Sequence, residues 1–290
     1  MTPGYEHPSP GTDRTPLAPI LRRAASDLVD AGVASPRTDA ELLAAHVLGI
    51  GRGRLALVGT VRPDEAARLS ELIARRAQRV PLQHLIGTAA FRHLDLAVGP
   101  GVFIPRPETE LLAGWGIERT APGATVVDLC SGSGAVACSV ADETEAGRVI
   151  AVERSPEALV WLRRNAGSAV EVVEADVTDP GLLGELDGRV DVLLCNPPYV
   201  PDGTRVPAEV AEHDPLDAVF GGGDGLTVIR PVVAAAARLL RTGGALAIEH
   251  DDTQGDVVPA LLRADGRFTS ITAHSDLTGR PRFTTAFRGF

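Results

Sequence analysis

The sequence of 290 residues predicts an α/β domain with a mostly parallel β-sheet, preceded by a small helical domain. From residue 102 onwards, short runs of β-branched and aliphatic residues alternate with segments of helical periodicity. Such alternation is typical of a parallel sheet that is covered on both faces by helices. Before residue 88, the apolar residues recur mainly at helical spacing, which indicates a separate helical domain.

The N-terminal region is predicted to contain a disordered tail and a helical domain. Residues 1–18 are rich in Pro, Gly and Thr and lack an apolar signal core, which argues against a targeting peptide. Three helices are expected within residues 19–87, marked by an apolar stripe at Ile20–Val29, a capping box at Thr38–Glu41 and a first-turn proline at Pro63. The third helix has a basic end that we expect to stabilise its own C-terminus, with a partner's acidic surface as the alternative: Arg75, Arg76 and Arg79.

A β-hairpin linker is expected at residues 88–101, and the α/β domain at residues 102–290. Partial alternation from Phe91 to Val98 predicts a strand of this hairpin. Pro231 should delay the start of the helix that precedes the fifth strand of the sheet. The domain is predicted to contain five strands that alternate with helices and a terminal antiparallel pair: Thr125–Leu129, Arg148–Val152, Val170–Ala175, Val190–Cys195, Ala245–Ile248, and Phe268–Ala273 with Arg282–Phe287.

The tetrapeptide Asn196-Pro197-Pro198-Tyr199 is the most informative stretch, because it follows a buried strand at the position where open α/β sheets bind ligands. Two consecutive prolines fix the backbone and remove two N–H donors, so their carbonyls are held as acceptors. The asparagine adds an acceptor and a donor, and the tyrosine adds a flat face. Together they predict a socket for a planar amino group, although a plain Pro-rich turn is the alternative.

A second half-site is predicted where the strand Thr125–Leu129 runs through Cys130–Gly134 into a helix. Glycines there allow close approach of a ligand, and the helix N-terminus offers free N–H groups, although the spacing differs from the dinucleotide fingerprint. Acidic residues close the first three strands, and the second can accept hydrogen bonds from both hydroxyls of a ribose: Asp128, Glu153 and Asp176. Together these features favour a nucleoside pocket over isolated loop acids.

These residues resemble the class I S-adenosylmethionine-dependent methyltransferases, in the branch that methylates planar amino or amide nitrogens. Within that branch, Gly101–Glu110 closely resembles the signature of the release-factor glutamine methyltransferases, and Pro81–Gly87 resembles the end of their N-terminal helical domain. Asp224-Gly225-Leu226 and Asp276–Arg280 also fit. The resemblance covers about residues 20–288. It implies a Rossmann-like fold with a mostly parallel seven-stranded sheet.

The resemblance also implies an activity: methyl transfer from S-adenosylmethionine to the side-chain amide of the glutamine in the Gly-Gly-Gln loop of peptide chain release factors. The Asn196 oxygen and the Pro197 carbonyl would accept the two N–H bonds of that amide, and the N-terminal domain would grip the release factor. The residues expected to contact the cofactor are Asp128, Cys130, Ser131, Gly132, Ser133, Gly134, Glu153, Asp176, Val177 and Asn196. Those expected to contact the substrate are Phe103, Arg106, Asn196, Pro197, Pro198 and Tyr199, the last four being catalytic.

Three details remain open in the sequence. Arg106 binds the donor's carboxylate or the substrate backbone, or holds its loop against Glu108 or Glu110. The run Gly221–Gly225 is either a mobile lid or a plain connection. Cys130 replaces a glycine found in much of the family, which strains the backbone unless φ is ordinary there; its thiol could lie near that of Cys195, with two separate reduced thiols as the favoured reading.

Composition limits the alternatives. Methylation of an exocyclic base amine in DNA or RNA would use the same tetrapeptide, but the net charge of −10 disfavours a phosphate-binding surface and no recognition insertion is evident. A non-enzymatic binding module is the third reading, which the intact motifs disfavour. Basic residues are all arginine, and neither the three cysteines nor the seven histidines show metal-ligand spacing. No apolar run approaches the ~18 residues that span a bilayer. We expect a cytoplasmic protein that acts as a monomer and binds no metal.

Overall fold

The computed structural model describes residues 14–290, which fall into two compact units divided between Ile86 and Gly87. The predicted tail, residues 1–18, lies mostly outside the described residues. Its last part is not a tail, because Thr15–Pro16 form a short strand and the first helix begins at Leu17. Among the described residues, no helix combines the length and apolar character needed to cross a membrane.

The first unit is a helical bundle with one small two-stranded sheet. Its core contains fully buried side chains from the first two helices, including Leu28 and Leu43, together with Leu69 of the third. The short strands pair antiparallel, Thr15 opposite Val61. The elements are β1 Thr15–Pro16, α1 Leu17–Asp30, α2 Pro36–Leu48, β2 Thr60–Val61, α3 Pro63–Ala77 and α4 Leu82–Ile86, with a 3-10 helix at Arg52–Leu57.

The predicted capping box at Thr38–Glu41 is wrong, because α2 already begins at Pro36. Asp39 instead lies inside the helix and forms an ion pair of 2.8 Å with Arg76 of α3, both residues being buried. Glu41 turns outward to two surface arginines. The pattern of Thr38 and Glu41 suggested a helix cap, but in the fold Asp39 forms an ion pair that links α2 to α3.

The apolar stripe expected in the first helix and the basic end expected in the third are only partly confirmed. Val29, assigned to the apolar stripe, is 58% exposed. Arg76 donates to the Val80 carbonyl near its own helix end, as expected, but its main partner is Asp39. Arg79 donates to the carbonyl of Gly32, beyond the end of α1. Two of the three basic residues thus have structural partners within this unit.

The second unit contains the predicted mostly parallel, seven-stranded sheet, which is confirmed. The strands of the unit are β3 Thr88–Phe91, β4 Leu94–Ala97, β5 Thr125–Leu129, β6 Arg148–Glu153, β7 Glu171–Glu174, β8 Val190–Cys195, β9 Leu240–Glu249, β10 Phe268–Ser275 and β11 Pro281–Arg288. In the sheet they lie in the order β10-β11-β9-β8-β5-β6-β7, with β9, β8, β5, β6 and β7 parallel and β11 and β10 antiparallel. The helices are α5 Thr109–Ile117, α6 Ala135–Glu143, α7 Pro156–Ala166, α8 Ala208–His213, α9 Leu216–Val219, α10 Ile229–Leu239 and α11 Val257–Asp265.

Helices cover both faces of this sheet, which explains its nearly continuous apolar strands. Val127 and Leu129 of β5 face the core shared with α10 and α11, whereas Val126 faces the core shared with α5, α6 and α7. Ser155 caps α7 by accepting from the Ala158 N–H, as the Ser-Pro pair predicted. The helix α10 begins at Ile229, later than the apolar pattern alone suggested and close to Pro231.

The strand β5 lies between β6 and β8. From β5 the chain continues to β6 and β7 on one side of it, and then returns to β8 and β9 on the other side. Ligands in open α/β sheets bind outside the carboxyl ends of the strands where this reversal occurs. The glycine-rich turn after β5 and the tetrapeptide after β8 are therefore neighbours in space. β3 and β4 form the predicted hairpin, although its turn at Arg92–His93 divides the stretch that was expected to be one strand.

Candidate active site

A pocket opens at the carboxyl ends of β5, β6 and β8, within the second unit. It brings together every predicted site residue except Gly134 and Arg106. The predicted residues that line it are Phe103, Asp128, Cys130, Ser131, Gly132, Ser133, Glu153, Asp176, Val177, Asn196, Pro197, Pro198 and Tyr199. Residues separated by almost a hundred positions in the sequence thus meet in one cavity.

The turn after β5 uses the left-handed backbone conformation three times, with φ of 58° at Cys130, 56° at Gly132 and 86° at Gly134. At Gly134 a Cβ would lie 2.6 Å from a methyl carbon of Leu162, so only glycine fits. Cys130 has no such freedom, and a left-handed non-glycine residue costs about 1–2 kcal/mol. The strain anticipated from the sequence is therefore present in the fold.

Glu153, at the end of β6, is held in place by three backbone N–H groups. Gly132 donates to Oε2, and Arg154 and Ser155 donate to Oε1, all at 2.8 Å. An ionised carboxylate offers about four acceptor positions. Three are filled by the backbone, so one position on Oε2 remains for a ligand hydroxyl, and the contact with both ribose hydroxyls stays a prediction.

The two aspartates of the pocket differ in environment. Asp128 lies inside β5 rather than at its tip, and burial raises its pKa to about 7, against the hydrogen bonds from Ser131 and the Ala137 N–H. Asp176 lies two residues beyond β7 and is partly exposed. Burial opposes ionisation there, but the hydrogen bonds from Thr178 and Arg154 prevail and lower its pKa. Asp176 is thus the charged acid at the rim.

Asn196 is oriented by one hydrogen bond at the mouth of the pocket. Its Nδ2 donates to Oγ1 of Thr109 at 3.1 Å. Within residues 14–290, neither its Oδ1 nor the Pro197 carbonyl accepts a hydrogen bond. Pro197 and Pro198 are buried, so the backbone of the motif is fixed. Both residues line the pocket, so these two acceptors belong to its wall.

Tyr199 contributes its ring to the pocket and its hydroxyl to a buried carboxylate. The hydroxyl donates to Oε1 of Glu249 at 3.1 Å, and burial raises the pKa of Tyr199. Burial also raises the pKa of Glu249 to about 7, against the hydroxyls of Thr109 and Tyr199 and the charge of Arg282. Tyr199 is thus a neutral, fixed wall and not an acid–base group at neutral pH.

The run Gly221–Gly225 supports this motif from behind. A Cβ on Gly221 would lie 2.6 Å from the Pro198 carbonyl oxygen, and one on Gly225 would lie 2.2 Å from that of Tyr199. Both glycines are buried. Gly221 and Gly225 thus permit close packing against the motif, and a lid movement of the run stays a prediction.

Arg106 lies beside the pocket without lining it. Its guanidinium carbon is 4.8 Å from the centre of the Phe103 ring, which does line the pocket. Its partner is the buried Asp214 at 2.6 Å, and neither Glu108 nor Glu110 as proposed from the sequence. The contacts of Arg106 with Phe103 and Asp214 fit a structural role, although the acid comes from over a hundred residues away, and its role in substrate binding stays a prediction.

The thiols of Cys130 and Cys195 are neighbours, as the sequence suggested. Burial raises the pKa of Cys195 strongly, and the nearby Cys130 thiol adds to the effect. Both residues are free thiols. No group of three or more His, Cys, Asp or Glu side chains within residues 14–290 is placed to hold a metal ion.

Several residues that line the pocket or lie beside it escaped the sequence analysis. Thr109 stands in the signature Gly101–Glu110, but only its contact with Asn196 reveals its position. Glu249 is the last residue of β9 and lies beside the motif because of the pairing register between β8 and β9. That register is set in the folded sheet and cannot be seen in the sequence. Part of the unpredicted wall comes from α9 and its neighbours, where no motif marks the chain: Pro215, Asp217, Ala218 and Val219.

Comparison with known proteins agrees with this architecture. The family model described as the PrmC N-terminal domain matches residues 19–87, and the methyltransferase small domain matches residues 109–213. A release factor glutamine methyltransferase from Mycolicibacterium smegmatis is 56% identical over 276 residues, covering 94% of this chain and 98% of that protein. One from Streptomyces coelicolor is 48% identical, covering 92% and 96%. A solved ribosomal protein L11 methylase from Lactobacillus delbrueckii is 20% identical with a TM-score of 0.47, covering 67% of this chain and 84% of that one.

Proposed function

This chain belongs to the release factor glutamine methyltransferase family, and we propose that it methylates the side-chain amide nitrogen of the glutamine in the Gly-Gly-Gln loop of peptide chain release factors. The observation that carries the proposal is the pair of acceptors, Asn196 Oδ1 and the Pro197 carbonyl, on two residues that line the pocket. When bound, S-adenosylmethionine supplies an electrophilic methyl group on a sulfonium centre. The protein's task is to bring an amide nitrogen to that methyl group.

The residues around the pocket fit this methyl donor. The left-handed turn at Gly132 and Gly134 lets the backbone approach a ligand, and the N-terminus of α6 follows it. Glu153 keeps one acceptor position for a ribose hydroxyl, and the partly exposed Asp176 lies at the end of the next strand. We assign the donor's nucleoside to this side of the pocket, and the glutamine to the side lined by Phe103 and Tyr199.

The chemistry depends on position because an amide nitrogen is a poor nucleophile. Its lone pair is delocalised into the carbonyl, and two acceptors on its hydrogens orient the nitrogen toward the methyl group. Such alignment contributes up to roughly 7–11 kcal/mol in well-oriented systems. The nitrogen gains positive charge during transfer, so the acceptors bind the transition state more tightly than the ground state. The surplus proton then leaves to solvent.

The substrate reaches this pocket as a protruding loop. A Gly-Gly-Gln loop is flexible and narrow enough to place its glutamine between Phe103 and Tyr199. We propose that the N-terminal domain, residues 19–87, grips the release factor elsewhere, and that the enzyme acts as a cytoplasmic monomer. The nucleic-acid alternative is not favoured, since relatives from Mycolicibacterium smegmatis, Mycobacterium tuberculosis and Mycobacterium leprae, 49–56% identical, are release factor glutamine methyltransferases and the chain carries a net charge of −10.

A competition assay tests the proposal. Methyl-labelled S-adenosylmethionine is offered with a bacterial release factor, its loop Gln→Ala variant, total RNA and DNA. We expect label on the unmodified factor alone. The variant Asn196→Ala should lose this transfer, whereas Leu277→Ala, at a residue 94% exposed, should retain it. Label on RNA or DNA without label on the factor would overturn the proposal.

A further inference from the structure

We infer that one face of the helix α7 is a positioning surface that aligns the substrate side of the pocket with its methyl-donor side. The inference rests on the proposed function, because it concerns how the glutamine and the donor are held in line. Residues 97–105 are called the wall segment here, and residues 130–134 the donor turn. The α7 face consists of three residues spaced by four, none of which lines the pocket: Glu157, Trp161 and Asn165.

The wall segment alternates between the pocket and a small core that it shares with α7. Its residues that line the pocket are Gly101, Phe103 and Pro105. The side chains between them, Val102 and Ile104, are buried and belong to one apolar cluster with Ala158 of α7. The place of Phe103 at the pocket therefore depends on how its two neighbours are seated against this helix.

Two successive turns of α7 contact the wall segment closely. A Cβ on Gly101 would lie 2.7 Å from the Cβ of Glu157. One turn further, a Cβ on Gly99 would lie 2.4 Å from Cζ2 of the Trp161 ring, and Nε1 of that ring donates to the Pro100 carbonyl at 3.1 Å. Residues four apart share one face of a helix, so these contacts form a row along α7.

Asn165 ends this row and joins the wall segment to the donor turn. Its Oδ1 accepts from the Ala97 N–H at 2.8 Å, and its Nδ2 donates to the Ala97 carbonyl at 2.9 Å. Nδ2 also donates to the Ser133 carbonyl, in the donor turn, at 2.9 Å. Carbonyls only accept and a backbone N–H only donates, so a single orientation of the amide satisfies all three bonds. One side chain thus sets the spacing of two segments that are distant in the sequence.

This spacing matters because methyl transfer depends on the alignment of two separately bound groups. The wall segment carries Phe103 on the substrate side, and the donor turn carries Gly132, which donates to Glu153. The same helix begins at the pocket, where its cap Ser155 is part of the lining. A displacement of about 1 Å can reduce a rate roughly 100-fold. A helix that contacts both segments keeps them from moving independently.

Asn165→Asp tests the link between the two segments with little change of shape. Aspartate can still accept from the Ala97 N–H, but its ionised carboxylate has no hydrogen for the carbonyls of Ala97 and Ser133. We expect Kd for the product S-adenosylhomocysteine, measured by titration calorimetry, to rise ~10-fold or more, with a fall in kcat of at least that size. The control Val160→Ala, at a residue of α7 that is 63% exposed, should change neither quantity.

Gly99→Ala tests the contact between the wall segment and α7 away from the donor turn. The added methyl group meets the Trp161 ring and displaces the segment. We expect kcat for the release factor to fall ~10- to 100-fold, while Kd for S-adenosylhomocysteine stays within ~2-fold. Trp161→Phe shortens the ring and makes room for the methyl group. The double variant should therefore return kcat to within ~5-fold of that of Trp161→Phe alone, which general destabilisation would not do.

The outcomes distinguish the inference from the proposed function. If the unmodified enzyme methylates no release factor, the proposed function is wrong, and Kd for S-adenosylhomocysteine in Asn165→Asp decides the link by itself. An unchanged Kd in that variant overturns the inference. Where Asn165→Asp does not fold, the Gly99 and Trp161 variants decide: normal kcat in Gly99→Ala, or a double variant no more active than Gly99→Ala, overturns the inference.

Discussion

Adding one methyl group at Gly225, which does not itself line the pocket, should disable the site. Gly225 has φ of 71°, and a Cβ there would lie 2.2 Å from the Tyr199 carbonyl oxygen and 2.5 Å from Nε2 of Gln254. The Gln254 amide donates to that same carbonyl at 3.2 Å. The substitution Gly225→Ala therefore forces the backbone of the tetrapeptide to move.

The expected size of the effect follows from these distances. The left-handed conformation costs alanine about 1–2 kcal/mol, and overpacking against a backbone oxygen adds about 1–3 kcal/mol. Relief of the contact requires Tyr199 to shift by almost 1 Å, and a misplacement of about that size can reduce the rate by roughly 100-fold. We expect Gly225→Ala to lose about 2–5 kcal/mol of stability and at least 10-fold in kcat.

A matched control lies two residues away. Gly223 is exposed, has no atom within 4 Å of its Cβ position and is not in the left-handed region, so Gly223→Ala should change stability by less than about 0.5 kcal/mol. Denaturant unfolding and steady-state methyl transfer to a release factor measure both quantities. If Gly225→Ala retains normal stability and kcat, or if Gly223→Ala is equally damaging, the close packing inferred here is wrong.

Three further changes test other parts of the structure. Cys130→Gly should relieve left-handed strain and, after the entropy cost of glycine, raise stability by about 0.5–1 kcal/mol in thermal unfolding; a loss would contradict that strain. Burial raises the pKa of Glu249 from 4.5 to about 7, so the folded state binds a proton that the unfolded state releases, and stability falls as pH rises between these values. Glu249→Gln should therefore flatten the stability curve from pH 4.5 to 7 by roughly 3 kcal/mol, and parallel curves would refute this. Asp39→Ala removes the buried carboxylate that pairs with Arg76 and should cost about 3–5 kcal/mol, part of which the double variant with Arg76→Met recovers; full additivity of the two changes would contradict the pairing.

The sequence predicted the sheet well because parallel strands buried on both faces leave an unmistakable apolar pattern. Each of the five parallel strands was placed within a few residues, although β9 starts five residues earlier than Ala245. Its first part, Leu240–Gly244, is rich in glycine and mostly exposed, so periodicity offers little there. Proline and serine signals at the start of α7 were reliable because they act within a few residues.

Features that depend on distant parts of the chain were not predictable. Asp39 followed the local pattern of a capping box, but its partner Arg76 lies 37 residues away. Arg106 was matched to nearby acids, whereas Asp214 is 108 residues away. In the site, the motif residues were found because they are chemically unusual. Thr109 and Glu249 were missed because a threonine and a glutamate become informative only once the sheet sets them beside Asn196.

The most direct test of the account is to locate the transferred methyl group by tandem mass spectrometry. A release factor treated with the enzyme and S-adenosylmethionine is digested, and the modified residue is identified. We predict one added methyl group on the side-chain nitrogen of the loop glutamine, and none when Asn196→Ala replaces the unmodified enzyme. A methyl group on another residue, or an unchanged yield with Asn196→Ala, would contradict the account.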